Sequence, residues 1–332
     1  MLRTTLLRTP WASSLKASLR LLCLALLASS AMAQTYPNRP VKIIVPTAPG
    51  GFTDVVARLV GQKLSASLGQ QVVIENKQGA GSTIGADAVA KAAPDGHTLL
   101  MSSTTHVLGQ AVYGRLPYDP IKSFTPVAKL VDSAYVLVVN NKTDFKSVQD
   151  LINFARSHPE QIHYASSGNG SSQHLMGAMF CAMTNVKLKH VPYRGSAGAT
   201  TDLLAGVVET SFAGLPNVLS LIQQGKLRAL AVTTSKRIEQ LPDVPTLSEA
   251  GVSGYDAAIW LALLAPAGTP PEIVQRLNKD LMRTMTSPDA AKTMFDVGVS
   301  LSLMSPADTG EMMVSEMQKW SKVIRDNGIK PE

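Results

Sequence analysis

Cysteine is almost missing from this 332-residue chain: Cys23 sits in an N-terminal apolar stretch and Cys181 stands alone in the rest. A disulfide within residues 34–332 is therefore excluded, and Cys181 reads as an inert residue of a helix. Aromatic residues make up 5% of the chain, and after the N-terminus no dense run of Lys or Arg occurs. The stacking platforms and one-sign field of a nucleic-acid binder are both missing, so no nucleic-acid partner is expected. Beyond the N-terminus no apolar run approaches the roughly 20 residues that span a bilayer. Catalytic signatures are equally scarce. Gly168-Asn169-Gly170 and Gly195-Ser196-Ala197-Gly198 both miss the spacing of a nucleophile elbow, and neither a phosphate-loop lysine motif nor Gly-x-Gly-x-x-Gly occurs. The six histidines are scattered and none is paired at ligand spacing, so no metal and no cofactor are expected.

Residues 1–33 read as a secretory leader. Arg3, Arg8, Lys16 and Arg20 form its basic part, Leu21 to Leu27 its apolar core, and Ala31-Met32-Ala33 a small-residue cleavage site. Leu22 stands before Cys23 where a lipoprotein signal needs a small residue, so lipidation is not expected. The chain is expected to begin at Gln34 after export and to work in the periplasm. Losing the leader's four positive charges lowers the net charge from +7 to +3. The remaining length, about 300 residues, holds two domains of ordinary size.

Residues 41–54, Val-Lys-Ile-Ile-Val-Pro-Thr-Ala-Pro-Gly-Gly-Phe-Thr-Asp, are the most informative stretch. A β-branched run stops at Pro46, turns through Pro49-Gly50-Gly51 and enters an amphipathic helix pattern. Such a turn points free backbone N–H groups and a positive helix end at an anion. Ser166-Ser167-Gly168-Asn169-Gly170-Ser171-Ser172 is a second turn of this kind. Strands are predicted at 41–45, 71–75, 98–102, 135–139, 162–166, 207–213, 227–233 and 258–264. Helices are predicted between them at 54–67, 83–92, 147–157, 172–184, 197–205 and 217–224. This alternation gives an α/β protein with parallel sheets flanked by helices, and ligands on such sheets sit beyond the strands' carboxyl ends. The tail is read as three helices, 270–286, 288–297 and 306–327, each entered through a hydroxyl-proline pair at Thr269, Ser287 or Ser305. They are expected to pack around the first lobe.

An ordinary strand-to-helix connection also favours Gly, Ser, Thr and Asp, so each turn alone has a bland reading beside the ligand-binding one. Ser102-Ser103-Thr104-Thr105 closes the strand at 98–102 and either faces the same crevice or caps the next helix. Pro192-Tyr193-Arg194-Gly195-Ser196 joins another strand-like segment, 187–191, to a helix. His174, beside the second turn, orients that loop or is simply packed. Trp260, within an apolar run, reads as core.

Together, in order and spacing, these turns resemble the Bug family, the extracytoplasmic solute receptors of tripartite tricarboxylate transporters. The resemblance runs through Pro49-Gly50-Gly51 with Asp54, Glu75-Asn76-Lys77 with Gly79-Ala80-Gly81, Pro94-Asp95-Gly96-His97 and Leu116-Pro117-Tyr118-Asp119. It continues through Ser166 to Ser171 with His174-Leu175, Val191-Pro192-Tyr193-Arg194-Gly195, Leu241-Pro242-Asp243-Val244-Pro245-Thr246, Glu249-Ala250-Gly251 and Ala265-Pro266-Ala267-Gly268. It implies a two-lobed, type II periplasmic-binding-protein fold with mixed, mostly parallel sheets. Residues 34–131 with 256–332 would form lobe one, and 132–255 lobe two.

The resemblance also implies a carboxylate held by backbone N–H groups and hydroxyls from both turns. Carried over, the contacts are Gly50, Gly51, Phe52, Thr53 and Asp54, joined by Ser103 and Thr104, with Ser167, Gly168, Asn169, Ser171 and Tyr193 opposite. Thr47 stands where the family commonly has Phe, and Phe52 where a small residue or Pro is common. A ring at 52 would favour an aromatic carboxylate. The expected role is thus a monomeric receptor, not an enzyme, that passes a small carboxylate to the membrane subunits of a tripartite transporter. Two alternatives stand beside it: a receptor that presents its ligand to a sensor kinase, and a secreted hydrolase using Ser167 or Ser171.

Overall fold

The structure is a computed structural model that describes residues 36–326; the leader assigned to residues 1–33 lies outside the described residues. β1 (Val41–Val45) is a β-branched run with four of its five side chains buried, as expected of a strand covered on both faces. α1 (Phe52–Leu68) follows, burying Val56, Val60, Leu64 and Leu68 at four-residue spacing and ending at Gly69 in the left-handed conformation. Then come β2 (Val72–Asn76), α2 (Thr83–Ala90), β3 (Thr98–Ser103), α3 (Thr104–Tyr113) and the long β4 (Phe124–Asn140). α4 (Val148–Ser157) starts from a capping box of Ser147 and Asp150. β5 (His163–Ser166), α5 (Ser172–Thr184), β6 (Lys189–Pro192), α6 (Ser196–Ala205), β7 (Thr210–Gly214), α7 (Leu215–Gln223) and β8 (Leu227–Val232) complete the middle. β9 (Ala258–Pro266), α8 (Pro271–Met285), α9 (Pro288–Asp296), β10 (Ser300–Met304) and α10 (Pro306–Asp326) form the tail.

The sheet runs β2-β1-β3-β9-β4-β7-β5-β6, with β8 and β10 also paired to β4. β1 pairs in parallel with β2 and β3, and β5 in parallel with β6 and β7. Every antiparallel pairing involves β4 or β9. β4 is shared between two half-sheets. From Phe124 to Ala134 it pairs with β9, and from Tyr135 to Asn140 with β7 and β8. The chain therefore crosses once at residues 134–135 and returns before Ala258. Thr233 ties the crossings together: its hydroxyl donates to the Ala257 carbonyl at 2.7 Å and accepts the Tyr135 N–H at 3.1 Å.

Each half-sheet has its own core. Ile44, Leu100, Val107, Trp260 and Leu264 pack with Met313 of α10 in the first. Val136, Val138, Leu203, Val218 and Val232 pack in the second. α8 lies on α1, and Asn278 of α8 donates to the Val127 carbonyl at 2.9 Å.

Three features depart from the sequence reading. β4 is 17 residues long rather than confined to 135–139, because Pro126, Lys129 and Asp132 interrupt the apolar pattern of its first half. Lys129 is buried there and paired with Asp132 at 2.7 Å. β10 was not expected in the tail. Of the hydroxyls before prolines, Ser287 and Ser305 do accept an N–H from the first turn. Thr269 instead donates backward to the Pro266 carbonyl at 2.8 Å.

Candidate functional site

All six parallel strands, β1, β2, β3, β5, β6 and β7, aim their carboxyl ends at one cleft of about 660 Å³. Each is followed by a helix whose preceding residue lines that cleft: Gly51, Ser82, Ser103, Ser171, Gly195 and Gly214. Gly51, Ser82, Gly195 and Gly214 cap nothing through a side chain, so the first-turn N–H groups of α1, α2, α6 and α7 have no side-chain cap. Ser171 does cap α5, accepting the His174 N–H at 3.3 Å. That leaves its hydroxyl proton free to point elsewhere.

Among the described residues no Asp or Glu lines the cleft, and the one charged lining residue is Arg194, which is exposed. The electrostatic character of the site therefore comes from converging helix N-termini, each equivalent to about half a positive charge, rather than from buried cations. Phe52, Tyr135 and Ile259, all buried, provide apolar walls. Burial pushes the Tyr135 hydroxyl up to about 12, against a hydrogen bond with Ser172 that lowers it.

The two walls touch across the cleft. Thr105 and Ser172 share a hydroxyl–hydroxyl hydrogen bond of 2.5 Å, and Asn217 donates its amide to the Gly50 carbonyl at 3.0 Å. A Cβ on Gly195, whose φ is +118°, would lie 2.7 Å from the Ala48 Cβ, so only glycine permits this approach.

Nine of the expected residues line the cleft: Gly51, Phe52, Thr53 and Ser103 on one side, and Ser167, Gly168, Asn169, Ser171 and Tyr193 on the other. The Tyr193 hydroxyl, however, donates to Asp202 at 2.7 Å, so this residue offers its ring and backbone rather than its hydroxyl. Burial and the neighbouring Asp202 carboxylate push that hydroxyl up to about 12. Gly50, Asp54 and Thr104 lie outside the lining, each for a physical reason. The Gly50 N–H is taken by Asp54 at 2.9 Å. The buried Asp54 carboxylate also accepts from Arg58 at 2.9 Å and Asn76 at 3.0 Å. The Thr104 hydroxyl accepts the Trp260 N–H at 3.1 Å.

His174 takes the orienting role: its Nδ1 accepts the Gly170 N–H at 3.1 Å, and its ring stacks on His190 with centroids 4.1 Å apart. His190 in turn meets the Ser166 hydroxyl at 2.6 Å.

Thr105, in the hydroxyl cluster after β3, does line the cleft, while sequence reasoning missed Gln78, Gln173, Asn217 and the stretch Gly79–Ser82 as lining residues. The last carried a signal, since Gly79 and Gly81 follow a predicted strand as Gly50 and Gly51 do. Among the described residues no group of three His, Cys, Asp or Glu side chains could hold a metal ion.

Two half-sheets joined through β4, with strand ends and helix N-termini around a cleft, are the architecture of the periplasmic-binding-protein class. Comparison with known proteins agrees. The periplasmic binding protein BugD is 33% identical with a TM-score of 0.85, over 90% of this chain and 100% of its own. R. palustris Rpa4515 with adipate is 38% identical with a TM-score of 0.86, over 90% and 100%. MatC from Rhodopseudomonas palustris with bound malate is 33% identical with a TM-score of 0.83, over 87% and 100%. The family model described as "Tripartite tricarboxylate transporter family receptor" matches residues 56–329. The chain belongs to this family of receptors.

Proposed function

We propose that this chain captures a small organic carboxylate in the cleft and delivers it, as a monomer in the periplasm, to the membrane subunits of a tripartite transporter. The observation that carries the reading is the convergence of uncapped helix N-termini on a cleft in whose lining no described residue is acidic. Such donors hold an anion without the desolvation cost of a buried cation. Hydrogen bonds to a charged group contribute about 1.5–3 kcal/mol each, so three or four of them bring affinity to about micromolar, near −8 kcal/mol. The bound adipate and malate of the two similar structures support the ligand class. Export through residues 1–33 accords with the family's periplasmic members.

The lobes follow the half-sheets in this reading. Residues 34–131 with 256–332 form lobe one and 132–255 lobe two. Supporting this, β4 changes partners between Ala134 and Tyr135, and α8 and α10 pack on the first half-sheet. Gly51, Phe52, Thr53 and Ser103 then grip the ligand from lobe one, and Ser167, Gly168, Asn169 and Ser171 from lobe two. The apolar faces of Phe52, Tyr135 and Ile259 favour a flat or apolar ligand body such as an aromatic acid. Calorimetry on protein unfolded and refolded to strip carried-over ligand tests both levels. An aromatic monocarboxylate is expected to bind at least about tenfold more tightly than citrate, a difference of about 1.4 kcal/mol. Equal affinities would remove the aromatic preference, and failure of every carboxylate would remove the receptor reading. Loss of uptake of that acid on deleting the gene tests delivery, against presentation to a sensor kinase.

A further inference from the structure

The second turn contains Asn169-Gly170, and an asparagine before a glycine is the pair whose backbone nitrogen most readily attacks the preceding side-chain amide. Gly170 has no Cβ to hinder that approach, and its φ of +71° is one that glycine adopts without strain. Asn169 lines the cleft and is exposed, within reach of water, whereas Gly170 is buried. The Gly170 N–H donates inward to His174 Nδ1 at 3.1 Å. A ring nitrogen that accepts this bond is unprotonated, and the distance places it within reach of the proton a base would remove. His174 is 3% exposed and stacks on His190, which stacks in turn on Tyr164. Asn169 also stands just ahead of Ser171, the cap of α5, at the helix end that favours a developing negative oxygen.

We propose that Asn169 is a site of self-catalysed deamidation with His174 as its base, and that the change shuts the cleft to anions. The Gly170 nitrogen gives its proton to His174 Nδ1 and bonds to the side-chain carbonyl carbon of Asn169. The bond from that carbon to the amide nitrogen breaks, and the nitrogen leaves as ammonia with the proton that His174 held. Water then opens the five-membered imide at either carbonyl, which yields aspartate or isoaspartate at position 169. No electron changes hands.

The product places a carboxylate in a cleft in whose lining no described residue is acidic, and it meets an incoming anion with like charge. This consequence rests on the reading of the cleft as a carboxylate site; the chemistry at Asn169 does not.

Ageing the purified full chain at pH 7, 8 and 9 tests the chemistry, with peptide maps that read the exchange of NH2 for OH by mass and isoaspartate by enzymatic methylation. Asn327-Gly328, outside the described residues, is the internal reference. Its conversion is expected to climb with hydroxide, whereas Asn169, served by its own base, is expected to convert at a nearly constant rate across that range. His174→Asn keeps an acceptor for the Gly170 N–H and removes the basicity. It is expected to slow conversion of Asn169 at least about tenfold and to leave Asn327 unaffected. The wild-type comparison stands by itself should the variant fail to fold. The assignment is overturned if Asn169 stays intact while Asn327 converts, if both rates climb in parallel, or if a folded His174→Asn converts as fast as wild type. Calorimetry with adipate, malate and benzoate reads the consequence. Asn169→Asp is expected to bind whichever of these wild type holds at least about tenfold more weakly than the neutral Asn169→Ala. Equal affinities of the two variants overturn the closing of the cleft. Binding of none of the three acids by wild type removes the carboxylate reading and that consequence with it, and the peptide maps alone then decide the chemistry.

Discussion

Asp54→Asn is expected to destabilise the protein by about 2–4 kcal/mol at neutral pH and by much less in acid. The carboxylate is 2% exposed and fixes the turn after β1 from behind, one oxygen accepting from Gly50 and Arg58, the other from Asn76. An amide of the same shape must set its NH2 against at least one of these donors in either orientation. The Gly50 N–H loses a charge-assisted bond worth about 1.5–3 kcal/mol. The Arg58 pair adds only about 0.2–1 kcal/mol, because that guanidinium is half exposed and screened by water.

The pH dependence gives the test its sign. Burial alone would raise the Asp54 pKa, but the bonds from Arg58, Gly50 and Asn76 outweigh it and hold the group below its ordinary 3.8. Between that depressed value and 3.8 the unfolded chain holds more protons, so wild-type stability falls as pH falls through this window. Protonated wild type then resembles the variant. Urea unfolding followed by the fluorescence of buried Trp260 and Trp320 at pH 7, 5 and 3 should show a full gap at 7 and 5 that narrows at 3. A gap below about 0.5 kcal/mol at pH 7, within the range of ordinary surface substitutions, or one indifferent to pH, would refute the anchoring role.

Three further outcomes are expected. Gly195→Ala drives a Cβ into Ala48 at the cross-cleft approach and should weaken carboxylate binding at least about tenfold by calorimetry; unchanged affinity would mean that this approach is not used when ligand is held. Thr233→Val removes the hydroxyl that joins the two crossings, stranding the Ala257 carbonyl, and should cost about 1–3 kcal/mol in urea; a neutral result would show the crossings to be held by other bonds. His106 is fully buried, with Nε2 donating to the Pro120 carbonyl at 2.9 Å, and burial lowers its pKa from 6.5 to about 4. Its imidazole resonances should stay flat from pH 7.5 to 5, and its share of stability should decline as pH falls from 6.5 towards 4, because the unfolded chain takes up the proton first; a midpoint above about pH 5.5, more than a unit from the expected value, would contradict this.

The sequence exposes those parts of the fold whose signal is local. β1 is a β-branched run, and β1, β5 and β7 each lead through glycines or serines to the start of the next helix. β4 is the counter-example. Its first half carries Pro126, Lys129 and Asp132, which the strand accommodates through register shifts and through partners 124 or more residues away in β9 and β10. No local pattern encodes those partners. In the site, glycines and hydroxyls after strands located the cleft, whereas Gln173, Asn217 and Ile259 are of types that any helix or strand contains. Asp54 and Thr104 lie outside the cleft lining and hold neighbouring backbone and side chains instead. Polar groups at a helix start look alike in sequence whether they serve a ligand or hold a loop, and only their hydrogen-bond partners separate the two.

That distinction bears on how the cleft works. Asp54 consumes the Gly50 N–H, Asn76 and Arg58 steady Asp54, and His174 holds Gly170. Each side chain fixes one wall of the cleft without entering it. The backbone donors are thereby preorganised, and a bound anion has little loop entropy left to remove. Because the donors are neutral peptide groups, emptying the cleft exposes no unpaired buried cation, the situation that makes a buried ion pair so costly to break. A grip built from helix ends can therefore be tight when the walls meet across Thr105–Ser172 and Asn217–Gly50 and weak when they part. On the function proposed above, capture and release depend on closure rather than on charge.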